Sequence, residues 1–150
     1  MISDRTMGLS DVLPRVNGST PARVPNPEVA VLEDDPQLTA IAVELCGRIG
    51  LSVETYRSPH AFLGEVPTTP PRLLILDWRF ERELGAAAFM SVRHRFGNVP
   101  IVCWTATPAT DLPAMVVDDP QVRIVAKSDG IDAFEAAVRW AAAPQGGLQP

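Results

Sequence analysis

A chain of 150 residues has the size of one ordinary domain, and a hydrophobic content of 46% is enough for a real core, which excludes wholesale disorder. Lysine and arginine total 13 against 18 acidic residues, and the resulting formal charge of −5 argues against a non-specific nucleic-acid binder, which normally carries a basic patch. No apolar run approaches the ~20 residues that span a bilayer, and Met1 to Ser10 lacks the apolar stretch of a secretory signal.

Residues 1–27 read as a disordered tail, with Pro14, Pro21, Pro25 and Pro27 interspersed with Gly18, Ser19 and Thr20. Such a segment buries too little surface to offset its ordering entropy. The stretch from Pro144 to Pro150 reads the same way, which leaves one domain over 28–143. Within it, Val29-Ala30-Val31-Leu32 is a short continuous apolar run, the mark of a strand buried on both faces. Asp35-Pro36 then opens a helix, with an N-cap carboxylate before a proline at the first helical position. Leu38, Ile41, Ala42, Leu45 and Ile49 follow at helical spacing until Gly50 ends it. Val53 to Tyr56 is a second strand, and Ser58-Pro59 opens a short second helix.

After a loop from Pro67 to Pro71, Leu73 to Leu76 is a third buried strand. Gly85 precedes a helix carrying Ala88, Phe89, Val92 and Phe96. The pattern predicts a fourth strand from Val99 to Trp104, ending at Thr105, and a fifth from Val122 to Ala126. A last helix is predicted from Asp129 to Ala142. Pro108, Pro113 and Pro120 lie between the last two strands, so a fourth helix there is expected to be short, broken or absent. This alternation is that of an α/β fold with a parallel sheet covered on both faces. Cys46 and Cys103 sit inside apolar stretches and read as buried small hydrophobes in a reducing cytoplasm, not as a disulfide framework.

The chemistry collects where the apolar strands end. The first strand ends in Glu33-Asp34-Asp35, the third in Asp77, the fourth in Thr105 and the fifth in Lys127. Open parallel sheets bind ligands at the carboxyl ends of their strands, so adjacent strands would bring these groups into one crevice. Clustered carboxylates repel one another unless a cation intervenes, and Mg2+ is usually held by one or two of them. A carboxylate is also a nucleophile toward a phosphoryl group, whose transfer needs positive charge and donors around its oxygens.

Four segments together, VLEDDP (31–36), LLILDW (73–78), PIVCWTA (100–106) and IVAK (124–127), resemble a response-regulator receiver domain of two-component signalling, in order, placement and spacing. The resemblance covers about residues 28–143 and includes the 22-residue step from Thr105 to Lys127. VETYRSPHAFL (53–63) is similar to the receivers of one family of transcriptional regulators. The resemblance implies a flavodoxin-like, doubly wound sheet of order 2-1-3-4-5, an order for which receivers are a standing example. It implies Asp77 as phosphoacceptor. It also implies a Mg2+ site made by Glu33, Asp34, Asp77 and the backbone carbonyl of Arg79, with Thr105 and Lys127 on the phosphoryl oxygens. The implied partners are a sensor histidine kinase or histidine phosphotransfer protein and a downstream protein. Neither nucleic acid nor membrane is implied, and a homodimer is left open. The output would be partner binding, since no DNA-binding or catalytic domain is expected after Ala143 in this sequence.

Single residues have plainer readings as well. Asp35 reads as a helix cap, and Trp78 and Trp104 as packing around the site. His60 and His94 lie in helical stretches away from the strand ends and are poor candidates for a catalytic base. The chain departs from the family at Ser128, where many receivers have proline, and at Ile124, where they carry a switch aromatic. It lacks a proline near Glu81 and has Pro113 in the fourth helix. These departures bear on the usual output and not on the phosphorylation chemistry. They motivate a second reading, a receiver-like interaction module that does not use phosphorylation. A phosphatase with Asp77 as nucleophile would need a second acid two residues on, where Arg79 stands. A cation there would reach the site mouth and alter phosphoryl lifetime.

Overall fold

The computed structural model describes residues 27–65, 68–81 and 84–144. Apart from Pro27 and Pro144, the two expected tails lie outside the described residues. The strands are β1 (Val29–Leu32), β2 (Val53–Tyr56), β3 (Leu73–Leu76), β4 (Ile101–Thr105) and β5 (Val122–Ala126). The helices are α1 (Pro36–Ile49), α2 (Pro59–Leu63), α3 (Ala86–Phe96), α4 (Ala114–Val117) and α5 (Ile131–Ala142). The strands form one all-parallel sheet in the order β2-β1-β3-β4-β5, as expected for a flavodoxin-like receiver fold.

Local chemistry sets the helix starts. The Asp35 carboxylate accepts the N–H of Gln37 at 2.9 Å, with Pro36 at the first helical position of α1. The Ser58 hydroxyl accepts the N–H of Ala61 at 3.0 Å at the start of α2, again followed by proline. Gly47 lies exposed within α1, and a Cβ built on it would meet nothing within 4 Å outside its own helix backbone. Gly47→Ala is therefore expected to stabilise the fold by about 0.5–1 kcal/mol, read from chemical denaturation midpoints, because it removes glycine's entropic penalty without a clash.

Alternation along the buried strands sorts the core into two layers. Ala30, Leu32, Leu74, Leu76, Ile101 and Cys103 meet Phe62, Phe89 and Val116 from α2, α3 and α4. Val29, Val31, Leu73, Ile75, Val102 and Trp104 meet Ala42, Leu45, Phe134 and Val138 from α1 and α5. Trp104 stacks on Phe134 with ring centroids 3.9 Å apart. Both cysteines are free and buried, and burial pushes their thiols up, Cys46 to about 11 and Cys103 to about 12. They are inert core residues at neutral pH.

Two expected boundaries move. β4 begins at Ile101 and not at Val99: Pro100 has no N–H for the ladder, and the Val99 carbonyl accepts from Arg93 at 2.6 Å. α5 begins at Ile131 and not at Asp129. Lys127–Asp129 is a separate 3-10 turn, in which Asp129 accepts the N–H of Ala126 at 3.2 Å. Gly130, at φ 91°, divides the turn from the helix in a conformation that disfavours any side chain. The fourth helix is short, as the prolines require. It is a 3-10 turn at Ala109–Asp111, then Leu112-Pro113, then the four residues of α4.

Candidate functional site

Parallel pairing continues one residue past the strands, and this brings the acidic residues together. The N–H of Glu33 donates to the Tyr56 carbonyl and that of Asp77 donates to the Leu32 carbonyl, each at 3.0 Å. Glu33 and Asp77 thus rise from neighbouring, hydrogen-bonded backbone at the carboxyl edge of the sheet. Thr105 pairs with Ala126, so Lys127, the next residue, emerges beside it.

The four strand ends open into one cavity of about 460 Å³, lined by Glu33, Asp34, Asp35, Asp77, Arg79, Thr105, Ala106, Thr107, Pro108, Asp111 and Lys127. Every candidate residue predicted from the sequence lines it. Glu33, Asp77 and Thr105 are buried. Carboxylate oxygens of Glu33, Asp34 and Asp77 all lie within 4.8 Å of one another, a spacing that suits a hard divalent cation.

Lys127 bridges the two buried acids. Its Nζ donates to Asp77 Oδ2 at 3.0 Å and lies 3.0 Å from Glu33 Oε1. The Lys127 ammonium is therefore the partner of the buried Glu33 Oε1, held as an ion pair at the floor of the cavity. The other oxygen, Oε2, accepts the N–H of Asp35 at 3.1 Å. Burial pushes the Glu33 carboxyl above its ordinary value, and the negative charge of Asp77 adds to the push. The Asp35 N–H and the Lys127 ammonium hold it back only in part. Burial works against the Lys127 ammonium, but its contacts with Asp77 and Glu33 outweigh this and raise it above an ordinary lysine.

Thr105 is fully enclosed, and its Oγ1 accepts the N–H of Thr107 at 3.1 Å. Its own hydroxyl proton therefore remains to be donated. The N–H of Arg79 faces Asp77 Oδ1 at 3.4 Å, while its side chain is exposed at the cavity rim. Trp78 is buried within the core layer of α2 and α3, beside Leu76 and Phe80. His60 and His94 lie on α2 and α3, exposed and outside the cavity. Asp35, anticipated only as a cap, lines the cavity as well, and Thr107, Pro108 and Asp111 were not anticipated. The repeat Thr105-Ala106-Thr107 was the one available signal for them, since it places a second hydroxyl in the turn after β4.

No protein-family model and no curated protein matches the chain. Solved structures do. The response regulator TrrA of Thermotoga maritima, in complex with Mg2+-BeF, is 20% identical with a TM-score of 0.63, covering 75% of this chain and 96% of that one. The non-phosphorylated HemR receiver domain of Leptospira biflexa is 16% identical with a TM-score of 0.67, covering 78% and 94%. A chain described as an adenylate cyclase from Rhodopirellula baltica is 20% identical with a TM-score of 0.65, covering 78% and 87%. Likenesses at such identities establish architecture, and one architecture serves several activities. By its sheet order, its layers and these structural relatives, the chain has the fold of a response-regulator receiver domain.

Proposed function

We propose that this domain accepts a phosphoryl group on Asp77 from a histidine kinase or histidine phosphotransfer protein in the cytoplasm, and signals by binding a downstream protein. The observation that carries this reading is the convergence on one cavity of Asp77, the acidic pair Glu33 and Asp34, the Lys127 ammonium and the Thr105 hydroxyl. An Asp77 carboxylate oxygen attacks phosphorus, the P–N bond to the donor imidazole breaks, and the imidazole leaves with the electron pair and takes a proton. Lys127, already on Asp77 Oδ2, pairs with the incoming phosphoryl oxygens, and the Thr105 hydroxyl donates to one of them.

The three carboxylates of Glu33, Asp34 and Asp77, with oxygens within 4.8 Å of one another, fit a Mg2+ ion. Glu33, Asp34, Asp77 and the Arg79 carbonyl would hold it. When bound, Mg2+ supplies charge neutralisation for the transferring group. The proposed reaction is self-modification; Arg79 stands two residues after Asp77, where aspartate-nucleophile phosphatases usually carry a second acid.

The test is intact mass after addition of acetyl phosphate, with Mg2+-dependent fluorescence of Trp78 and Trp104 as a second readout. One phosphoryl adduct that requires Mg2+ and is absent in Asp77→Asn is expected. A folded protein with neither adduct nor metal response would favour the phosphorylation-independent module. Half-buried Ile124 in the switch position and the broken fourth helix are what speak for that second reading. Arg79→Ala is expected to shorten the adduct's lifetime by roughly twofold to fivefold, the scale of one exposed ion pair. Equal decay of wild type and variant in a time course would count against a role for the guanidinium.

A further inference from the structure

The helix that follows Asp77 starts against the backbone of Asp77 itself. A Cβ built on Gly85 would lie 2.7 Å from the backbone carbonyl oxygen of Asp77, 3.2 Å from Leu76 Cδ1 and 3.3 Å from Trp78 Cε3. The first of these is shorter than real Cβ contacts allow, and its partner is backbone, which no rotamer change can move aside. Gly85 has an ordinary helical φ of −68°, so its lack of a side chain serves this approach and not a backbone conformation. The glycine N–H donates to the Trp78 carbonyl at 2.6 Å, and Arg79 and Leu84 form an antiparallel bridge just before it. Asp77, Trp78 and Arg79 are thereby held from the α3 side, and the N–H of Arg79 is turned toward Asp77 Oδ1.

We propose that Gly85 is a positioning residue for the phosphorylation site: by letting α3 begin against the Asp77 carbonyl, it sets where the Asp77 carboxylate and the Arg79 carbonyl stand in the cavity. The inference rests on the phosphoacceptor reading above and adds to it a residue that lines no part of the cavity. A side chain at this position displaces the Asp77–Arg79 backbone. It thereby changes metal affinity and phosphorylation together, while leaving the Lys127 and Thr105 sides of the cavity in place.

The experiment compares wild type, Gly85→Ala and Gly47→Ala, the last being the same substitution where a Cβ meets nothing within 4 Å. Circular dichroism and thermal unfolding report folding. Mg2+ titration by Trp78 fluorescence and the rate of acetyl phosphate adduct formation report the site. Gly85→Ala is expected to fold, to bind Mg2+ about tenfold to a hundredfold more weakly and to form adduct more slowly by a similar factor, the scale seen when groups supporting metal ligands are altered. Gly47→Ala should match wild type in both. A folded Gly85→Ala with wild-type metal affinity and adduct rate overturns the proposal, even if its melting temperature falls. If the wild type itself forms no adduct, it is the phosphoacceptor reading that fails.

Should Gly85→Ala not fold, hydrogen exchange on the wild type decides. Mg2+ is expected to slow exchange of the Gly85 and Arg79 amides about tenfold more than that of Gly97, at the opposite end of α3, because local opening of a segment that holds the site is coupled to ligand binding. Equal slowing at the two ends of the helix would overturn the proposal.

Discussion

Lys127→Met is expected to slow adduct formation roughly a hundredfold, the scale of removing one charged stabiliser from a phosphoryl-transfer site. It is also expected to cost about 2–3 kcal/mol of stability near neutral pH, because two buried carboxylates lose their shared cation. The figure is below that of a fully buried pair, since the lysine side chain retains 20% exposure at the cavity mouth. Both effects arise from one placement, with Nζ 3.0 Å from oxygens of Asp77 and Glu33.

The pH dependence has a definite sign. The contacts that raise Lys127 stabilise the fold across the neutral range, and this contribution is lost as pH rises through the raised lysine pKa. Glu33 acts in the opposite sense. Its carboxyl is raised by burial, so ionising it costs stability as pH climbs from its ordinary value through the raised one. Lys127 offsets that cost. The stability gap between wild type and Lys127→Met should therefore open as pH rises through the carboxylate range and close again in acid. Mg2+ should stabilise the variant more than the wild type, since it enters a cavity freed of a competing positive charge. Denaturation midpoints over pH, with and without Mg2+, check each point. A pH-independent gap would mean that the lysine acts through its aliphatic stem alone.

The second large effect lies at the opposite end of the sheet and is purely structural. Arg93→Met is expected to destabilise the domain by about 2–4 kcal/mol while leaving the rate of adduct formation unchanged. The Arg93 guanidinium donates to Asp119 Oδ2 at 2.7 Å, to the carbonyls of Gly97 and Val99 at 2.8 and 2.6 Å, and to that of Gln121 at 3.4 Å. It also lies 5.4 Å from the centre of the Phe89 ring. One side chain thus ties the end of α3 to the starts of β4 and β5, and methionine would retain its stem but none of its donors. Burial opposes the Asp119 charge, but Arg93 and the Gln121 N–H outweigh it and hold that carboxyl below its ordinary value. The contribution is present above the ordinary carboxylate range and is lost as pH falls through the lowered pKa. The difference between wild type and Arg93→Met should accordingly shrink in acid, which urea melts across the acidic range would show. A variant that phosphorylates slowly while fully folded would contradict the separation of the two ends.

Much of the molecule is legible in the amino-acid sequence itself. Strands buried on both faces announce themselves as continuous aliphatic runs, because every position in them faces one of two apolar layers. Asp35-Pro36 and Ser58-Pro59 mark helix starts by local hydrogen bonding, which needs no distant partner. Glu33, Asp34, Asp77, Thr105 and Lys127 could be picked out because a polar residue ending an apolar strand lies at the edge where parallel sheets bind ligands. Those features are local, and local pattern encodes them.

What only the tertiary structure decided depends on atoms far apart in the chain. The start of β4 is set in part by a guanidinium on α3 that takes the Val99 carbonyl, and nothing in the strand's own residues reveals this. The pairing of Lys127 with both Glu33 and Asp77 follows from sheet order, which sets β1 beside β3 and leaves only β4 between β3 and β5, a gap that the long lysine side chain spans. Asp111 and Thr107 enter the cavity because the turn after β4 folds over it, a path that proline positions alone do not define. Gly85 looked like an ordinary residue before a helix. Its closeness to the Asp77 carbonyl exists only once α3 has packed against β3. The sequence by itself determined the elements, their alternation and the chemical character of the strand ends, since these rest on short-range periodicity and capping. The tertiary structure decided which of those groups touch, which are buried and which backbone they press against, since such relations are made by packing.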